Sequence, residues 1–180
     1  MAKSEFIYDA NYKATYYLSE SGQYVGGKWL EVNGKKYHFQ MDGVLETNKW
    51  IGNYYVKSDG AMARNEWFFD KNYGSYFYLG EDGKYIGGNR WFQIGGDWFY
   101  FIADGQMASN RWIDSYYVKA DGRMAKNEWI YDKNYGGKFY LKENGVYARN
   151  IEVVDGKKHA FQDNGLWIGE VPETVNYGNY

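Results

Sequence analysis

Two histidines, His38 and His159, are the first residues to test for proton chemistry, and they lie 121 positions apart in a chain of 180. A general base must stand within hydrogen-bond reach of its partner. Both histidines fall where other parts of the chain carry aromatic residues, which reads them as substitutes for rings. Asp9-x-Asn11, Asp70-x-Asn72 and Asp132-x-Asn134 resemble the opening of a calcium loop, but the glycine and glutamate that complete such a loop do not follow at the required spacing. The other carboxylates sit in Asp-Gly turns and Asn-Glu-Trp segments, where capping and solvation account for them. Cysteine is absent, which excludes thiol catalysis, disulfides and CxxC zinc sites. No nucleophile–base constellation, metal site or cofactor site is expected, and the chain does not read as an enzyme. What it carries in excess is aromatic surface: 8 Trp, 21 Tyr and 10 Phe, 22% of the residues and about half of the 44% that are hydrophobic.

These rings must be held by elements that the composition restricts. Thin aliphatic content and 23 glycines argue against a helical bundle, and no apolar run approaches the roughly 20 residues that span a bilayer. Mean hydropathy is −0.73, yet disordered chains are poor in aromatics. The polarity comes from Tyr, Asn, Lys and Asp, which suits thin β-structure with wide exposed faces. With a net charge of −2 and no basic run longer than Lys35-Lys36 or Lys157-Lys158, a nucleic-acid partner is not expected. The start, Met-Ala-Lys-Ser-Glu, lacks an apolar signal segment, so any export signal is expected to be removed or to lie outside this sequence.

Internal repetition supplies the elements. Aromatic residues, a few polar ones, Asp, Asn or Ser before Gly, one residue, then Met, Leu, Tyr or Trp recur around Gly22, Gly43, Gly60, Gly83, Gly105, Gly122, Gly145 and Gly165. The separations are 21, 17, 23, 22, 17, 23 and 20, so Gly43, Gly60 and Gly83 each recur 62 residues later. YYVKSDGAMARNEWFFDKNYG from Tyr54 and YYVKADGRMAKNEWIYDKNYG from Tyr116 show the same period. Each unit reads as a β-hairpin: Tyr76–Leu79 as strand, Glu81-Asp82-Gly83 as turn, Tyr85-Ile86 as return strand. A lone hairpin is marginal in water, so about eight must stack, and the period of 62 predicts three per superhelical turn. The fold class expected is an all-β solenoid of stacked hairpins over residues 1–169. Pro172, in Glu170-Val171-Pro172-Glu173-Thr174, marks a break, and 170–180 are expected to form a tail.

The pattern resembles the choline-binding, or cell-wall-binding, repeat family of Gram-positive bacteria. The fifth element carries it most fully: Trp91, then Trp98-Phe99-Tyr100, Asp104-Gly105 and Met107-Ala108. Alternation of long hairpins (WFFDKNYGSYFYL, WIYDKNYGGKFYL) with short ones (WIGNYYV, WIDSYYV) is similar to modules of pneumococcal-type wall hydrolases, over about 6–169. The resemblance implies a left-handed solenoid with choline cages between consecutive hairpins. Choline hides a permanent charge beneath three methyl groups, and several ring faces satisfy both charge and apolar shell, at about 0.5–2 kcal/mol per contact. Three rings then correspond to roughly millimolar affinity. Mapped by the family pattern, one cage takes Trp91, Trp98, Met107 and Tyr117, and a second takes Trp67, Tyr76, Tyr85 and Tyr100. Weaker versions fall on Trp50, Met62 and Tyr78, where Asn53 replaces a ring, and on Trp112, Met124 and Tyr140, where Ser115 does. Trp29 meets Lys36, and Trp129 meets Lys138, a cation where the ligand should be. Most other rings are expected to pack hairpin on hairpin in place of an aliphatic core, with Tyr12, Tyr73 and Tyr135 in the DxNY loops as braces.

The function implied is non-catalytic anchoring to choline or phosphocholine on teichoic and lipoteichoic acids, in a protein secreted to the wall or surface of a Gram-positive bacterium. Such modules are commonly attached to a hydrolase or adhesive domain. Glucan-binding repeats share the YYF-x-x-x-G hairpin, which keeps a carbohydrate binder as the alternative, and an aromatic adhesion or structural surface as a third. The last hairpin, with Ile151 for Trp and His159-Ala160-Phe161 for an aromatic triplet, reads as a cap. An uncapped terminal hairpin would be the surface for a homodimer.

Overall fold

In the computed structural model, residues 3–172 are described, and all their regular structure is β. Residues 173–180 of the expected tail lie outside the described residues. The described residues form eight antiparallel hairpins in sequence order. Unit 1, the described residues up to Gly88 with Ala103–Gln106, carries the first four. They are β1 (Glu5–Asp9) with β2 (Ala14–Leu18), β3 (Lys28–Val32) with β4 (Lys35–Phe39), β5 (Lys49–Ile51) with β6 (Tyr54–Val56), and β7 (Glu66–Asp70) with β8 (Ser75–Leu79). Unit 2, Asn89–Ile102 and Met107 onward, carries the rest. These are β9 (Arg90–Ile94) with β10 (Asp97–Phe101), β11 (Arg111–Ile113) with β12 (Tyr116–Val118), β13 (Glu128–Asp132) with β14 (Gly137–Leu141), and β15 (Asn150–Val154) with β16 (Lys157–Phe161), to which β17 (Trp167–Glu170) adds a third strand. The all-β class and the number of hairpins agree with the sequence reading.

The strands pair on the other side of the sequence from the one expected. Glu66–Asp70 pairs with Ser75–Leu79 around the loop 71–74, so the hairpin tips are the Asp-x-Asn-Tyr loops and the two-residue turns Asn33-Gly34, Gly52-Asn53, Gly95-Gly96, Asp114-Ser115 and Asp155-Gly156. Across Gly83 there is only one bridge, Leu79 to Tyr85, with the Ile86 N–H donating to Tyr78 O at 2.9 Å. The reason lies in a competing bond. Tyr85 N–H donates to Asn53 O of the preceding hairpin at 3.0 Å, so the returning segment is shared between two hairpins and cannot extend a ladder with either. Leu45 to Thr15, Met62 to Lys36, Met124 to Trp98 and Tyr147 to Ser115 repeat this bond within the two units.

The Asp-Gly turns are therefore the joints between hairpins. Asp59, Asp82 and Asp121 each accept the N–H two residues on, at 2.9–3.0 Å, a side-chain substitute for a backbone turn. The side chain two residues after each turn glycine lies over the glycine of the next turn: Leu45 on Gly60, Met62 on Gly83, Tyr85 on Gly105, Met107 on Gly122, Met124 on Gly145 and Tyr147 on Gly165. At these glycines φ is near +80° and a Cβ would overlap that side chain, so both the backbone and the packing require glycine. Asn48, Asn65, Asn89, Asn110 and Asn127 also adopt positive φ, each just before the first strand of its hairpin. Asparagine tolerates this conformation better than most residues, which explains the recurring Asn-x-Trp.

Within each unit the core runs as two short columns. Four residues before the turn glycine stand Phe39, Val56, Leu79, Phe101, Val118 and Leu141, none with any exposure. Three residues after it stand Ala63, Ile86, Ala108, Ala125 and Ala148, also buried. The expectation that rings replace aliphatic packing therefore holds only outside these columns, since four of the six residues in the first column are Val or Leu. Each such side chain contributes roughly 1.5–3 kcal/mol by burial. In the second column Glu46 is the exception, an acid with 8% exposure. His38 Nδ1 donates to Glu46 Oε2, and Lys49 Nζ donates to Oε1 at 2.8 Å. Burial alone would raise this carboxyl, but the bonds from Lys49 and His38 outweigh it and hold its pKa below the ordinary value.

At the C-terminal end, β17 pairs β16 through Glu170, with a bulge at Ala160/Phe161, and Val171 N–H still donates to Lys158 O at 2.8 Å. The repeat-built sheet thus includes Glu170 and Val171.

Two glycines of unit 2 separate backbone strain from packing. Gly156→Ala, with φ +79° and nothing within 4 Å of the new Cβ, is expected to cost about 1 kcal/mol. Gly145→Ala, with φ +82° and the Met124 thioether in the way, is expected to cost about 3 kcal/mol, the strain plus overpacking. Combining it with Met124→Ala should cost less than the sum of the two single changes. Thermal and urea unfolding check all four proteins.

Candidate functional site

One enclosed set of rings in unit 1 is built around Trp50. Trp50 lies opposite Tyr55 in the β5–β6 ladder, and its outer face meets Phe77 at 5.1 Å and Tyr85 at 5.9 Å between centroids, both steeply inclined (61° and 85°). Phe77 in turn meets Tyr73 at 5.6 Å and 70°. Four rings inclined by 61–85° to their neighbours are corners of a box, not a stack. They enclose a cavity of about 290 Å³ with Gly52, Asn53 and Asp104, at the small end for ligand pockets. Its one charged lining residue is an acid.

One carboxylate holds this box in shape. Trp50 Nε1–H donates to Asp70 Oδ2 at 2.7 Å, while Asp70 Oδ1 accepts the N–H of Asn72 at 2.7 Å and of Tyr73 at 3.3 Å. Asp70 is 4% exposed, and these three donors satisfy it, as a buried charge requires. It fixes the indole on one side and the loop that presents the Tyr73 ring on the other. Burial first, and then the Asp70 charge, push the Tyr55 phenol above its ordinary pKa, so the ring beneath Trp50 stays neutral.

Unit 2 repeats the arrangement 62 residues later. Trp112 meets Phe139 at 4.8 Å, Tyr147 at 5.9 Å and Tyr135 at 6.5 Å. Its Nε1–H donates to Asp132 Oδ2 at 2.8 Å, and Asp132 Oδ1 accepts from Asn134 and Tyr135. Tyr117 lies opposite Trp112 at 5.1 Å, and burial followed by the Asp132 charge raises its phenol as in Tyr55.

These ring sets differ from the mapped ones, and strand alternation is the reason. Neighbouring residues of a strand face opposite sides. Tyr116 meets Trp91 at 5.5 Å, so Tyr117 turns away from it and joins Trp112. Phe77, not Tyr76 or Tyr78, faces Trp50; Tyr78 lies opposite Trp67 at 5.2 Å, and Tyr76 meets Trp67 at 6.5 Å. Tyr140 likewise lies opposite Trp129 at 5.3 Å. Tyr85, mapped with Trp67, has Trp50 and Phe77 as ring neighbours. Trp91 lies opposite Tyr100 at 5.3 Å, and Trp98 is two residues along β10 on that same face. Met62, Met107 and Met124 cover the next glycine, with Met62 only 6% exposed. Tyr73 and Tyr135, read as braces, are walls as well, and the twice-repeated Asp-Lys-Asn-Tyr-Gly was the signal for them.

The remaining tryptophans show substitution within the same geometry. Trp29 meets His38 at 4.9 Å and Tyr54 at 5.4 Å, the counterparts of Tyr100 and Tyr116. Trp129 meets His159, Phe161 and Trp167 at 5.2–5.8 Å. Both histidines thus stand where a ring is needed. Among the described residues no cluster of His, Asp and Glu has the form of a metal site.

The family model described as "Choline-binding repeat" matches residues 44–85, 86–123 and 106–147, and a cell wall binding repeat model matches 27–45. The structure is similar to that of the modular autolysin LytC from Streptococcus pneumoniae in complex with a synthetic peptidoglycan ligand, with a TM-score of 0.81 and 38% identity over 91% of this chain and 37% of that one. Choline binding protein F from S. pneumoniae, in the presence of a peptidoglycan analogue, gives 0.67 and 26% over 92% of this chain and 57% of that one. Glucosyltransferase-S of Streptococcus mutans is 29% identical across 93% of this chain. The chain spans 12% of the length of the first curated relatives it matches.

Asp70→Ala is expected to lower the stability of unit 1 by about 2 kcal/mol, because it orphans the Trp50 indole N–H and two loop amides. Thermal melting reads the loss, and the Trp50 indole resonance in nitrogen-15 NMR should move upfield. Asp70→Asn, which keeps one acceptor for the loop but turns an amide NH₂ toward the indole, should fall between.

Proposed function

As the chain belongs to the choline-binding repeat family, we propose that it is a non-catalytic module whose ring cages hold the trimethylammonium group of choline or phosphocholine on a bacterial cell wall. The observation that carries this reading is the Trp50 cavity: four rings inclined to their neighbours by 61–85°, one carboxylate, and no Lys or Arg in its lining. A methylated cation has no N–H to donate, so directed acceptors cannot hold it. Ring faces supply electrostatic attraction and apolar contact together.

The reading assigns the first cage to Trp50, Tyr73, Phe77 and Tyr85 and the second to Trp112, Tyr135, Phe139 and Tyr147. A third is formed on the β9–β10 face by Trp91 and Trp98, with Tyr116 in the place first given to Tyr117. Each would bind at roughly millimolar strength. On a teichoic or lipoteichoic acid that displays choline many times over, such weak sites act together, because each bound cage raises the effective concentration for the next. A surface module needs no more than that. Secretion and an attached wall-acting domain accompany this reading, as the relatives are far longer than this chain.

Thermal melting against choline and against dextran oligomers tests it. Millimolar choline should raise the melting temperature, and dextran should not. Trp50→Ala should remove part of the choline response and Trp98→Ala another part. Stabilisation by dextran alone would place the chain with glucan-binding repeats, and an unchanged choline response in both variants would refute the assigned cages.

A further inference from the structure

The cavity between the β13–β14 hairpin and the β15–β16–β17 sheet has a different chemistry from the cages. It measures about 540 Å³ and lies wholly within unit 2. Trp129 and Trp167 form two of its walls, 5.8 Å apart and inclined at 78°. Tyr131, also in the lining, is 64% exposed. So far this is the ring geometry of a cage.

The charges are not those of a cage. Lys138 Nζ stands 5.5 Å from the centroid of the Trp167 ring, so a cation of the chain's own already faces that ring and would repel a second one. Lys157 also lines the cavity, with its Nζ donating to both carboxylate oxygens of Glu170 at 3.1 and 3.2 Å, and Asp155 supplies a second acid. Two ammonium groups and two carboxylates cancel, which leaves no preference for an ion of either sign. Trp167 Nε1–H donates to His159 Nδ1 at 3.2 Å. That bond fixes the Trp167 indole against the β16 strand.

Flat apolar walls with donors and acceptors of balanced charge match an uncharged ring compound bearing hydroxyls. A pyranose can lay its C–H face on an indole while its hydroxyls take charge-assisted bonds from ammonium and carboxylate groups. We propose that this terminal cavity is a subsite for a neutral saccharide of about two sugar units, a ligand class separate from the cation of the cages. Its occupation does not depend on the cages, so either site can fail alone.

Nitrogen-15 NMR titration of the whole chain tests this, with isomaltose in one arm and N,N′-diacetylchitobiose in the other, each with and without saturating choline. The indole resonances of Trp129 and Trp167 should shift saturably with at least one disaccharide, whether or not choline is present. The arm that responds distinguishes a glucan source from an amino-sugar glycan. Tyr131→Ala, at an exposed position that the core does not use, should weaken the sugar roughly fivefold. Lys138→Ala should weaken it similarly and let choline shift Trp167, since the ring face is then free. No saturable shift with either sugar, a sugar response abolished by choline, or one unchanged in both variants would overturn the proposal.

Discussion

The contact on which everything else depends is a side chain laid over a bare glycine. Each hairpin ends in a tight turn whose glycine has φ near +80°, and the side chain two residues after the previous turn fills the space where its Cβ would be. That contact sets how closely consecutive hairpins approach within each unit. It also fixes their rotation, because the same residue donates its N–H to the hairpin before it. With spacing and rotation set, the buried Val, Leu and Phe of one column and the Ala of the other come into register. The outer rings then have no choice of neighbour. Trp50 meets Phe77 and Tyr85 because Tyr85 is held over Gly105, and Trp112 meets Phe139 and Tyr147 because Tyr147 is held over Gly165.

Much of this was legible in the residues. The period of 62 appears in the structure as ring distances that agree within a few tenths of an ångström: Trp50–Phe77 at 5.1 Å and Trp112–Phe139 at 4.8 Å, with both indoles bonded to an aspartate twenty residues on. The number of hairpins and the all-β class followed from the turn glycines. The side of each turn on which the ladder forms did not. Asp-Gly flanked by aromatics suits a hairpin tip and an inter-hairpin joint equally, and only the bond from Tyr85 to Asn53 decides between them. Membership of the ring sets was lost for a related reason. A shift of one residue along a strand exchanges Tyr116 with Tyr117, or Phe77 with Tyr76, and all four are aromatic, so composition gives no warning. The Asp-Lys-Asn-Tyr loops were visible as a repeat, but the role of the aspartate depends on an indole from another hairpin.

One scaffold thus uses rings in three ways. Where both faces are covered they serve as core, as Tyr55 stacked on Phe68 at 3.8 Å does. Where several meet steeply inclined beside an acid, they suit a methylated cation. Where the chain's own lysine faces the ring, as Lys138 does Trp167, the cation preference is cancelled and other chemistry becomes available. Substitution at one repeat position changes the ligand class without altering the stack. Glu46 makes the same point inside the core, where an acid replaces alanine and is tolerated because His38 and Lys49 reach it.

The central claim is that the boxes at Trp50 and Trp112 hold a quaternary ammonium group. A crystal structure of the chain grown in choline addresses it most directly. The account predicts a trimethylammonium group within about 6 Å of the ring centroids of Trp50, Tyr73, Phe77 and Tyr85, and a second one at Trp112, Tyr135, Phe139 and Tyr147. Choline bound at other rings, with both boxes free of it, would contradict the account.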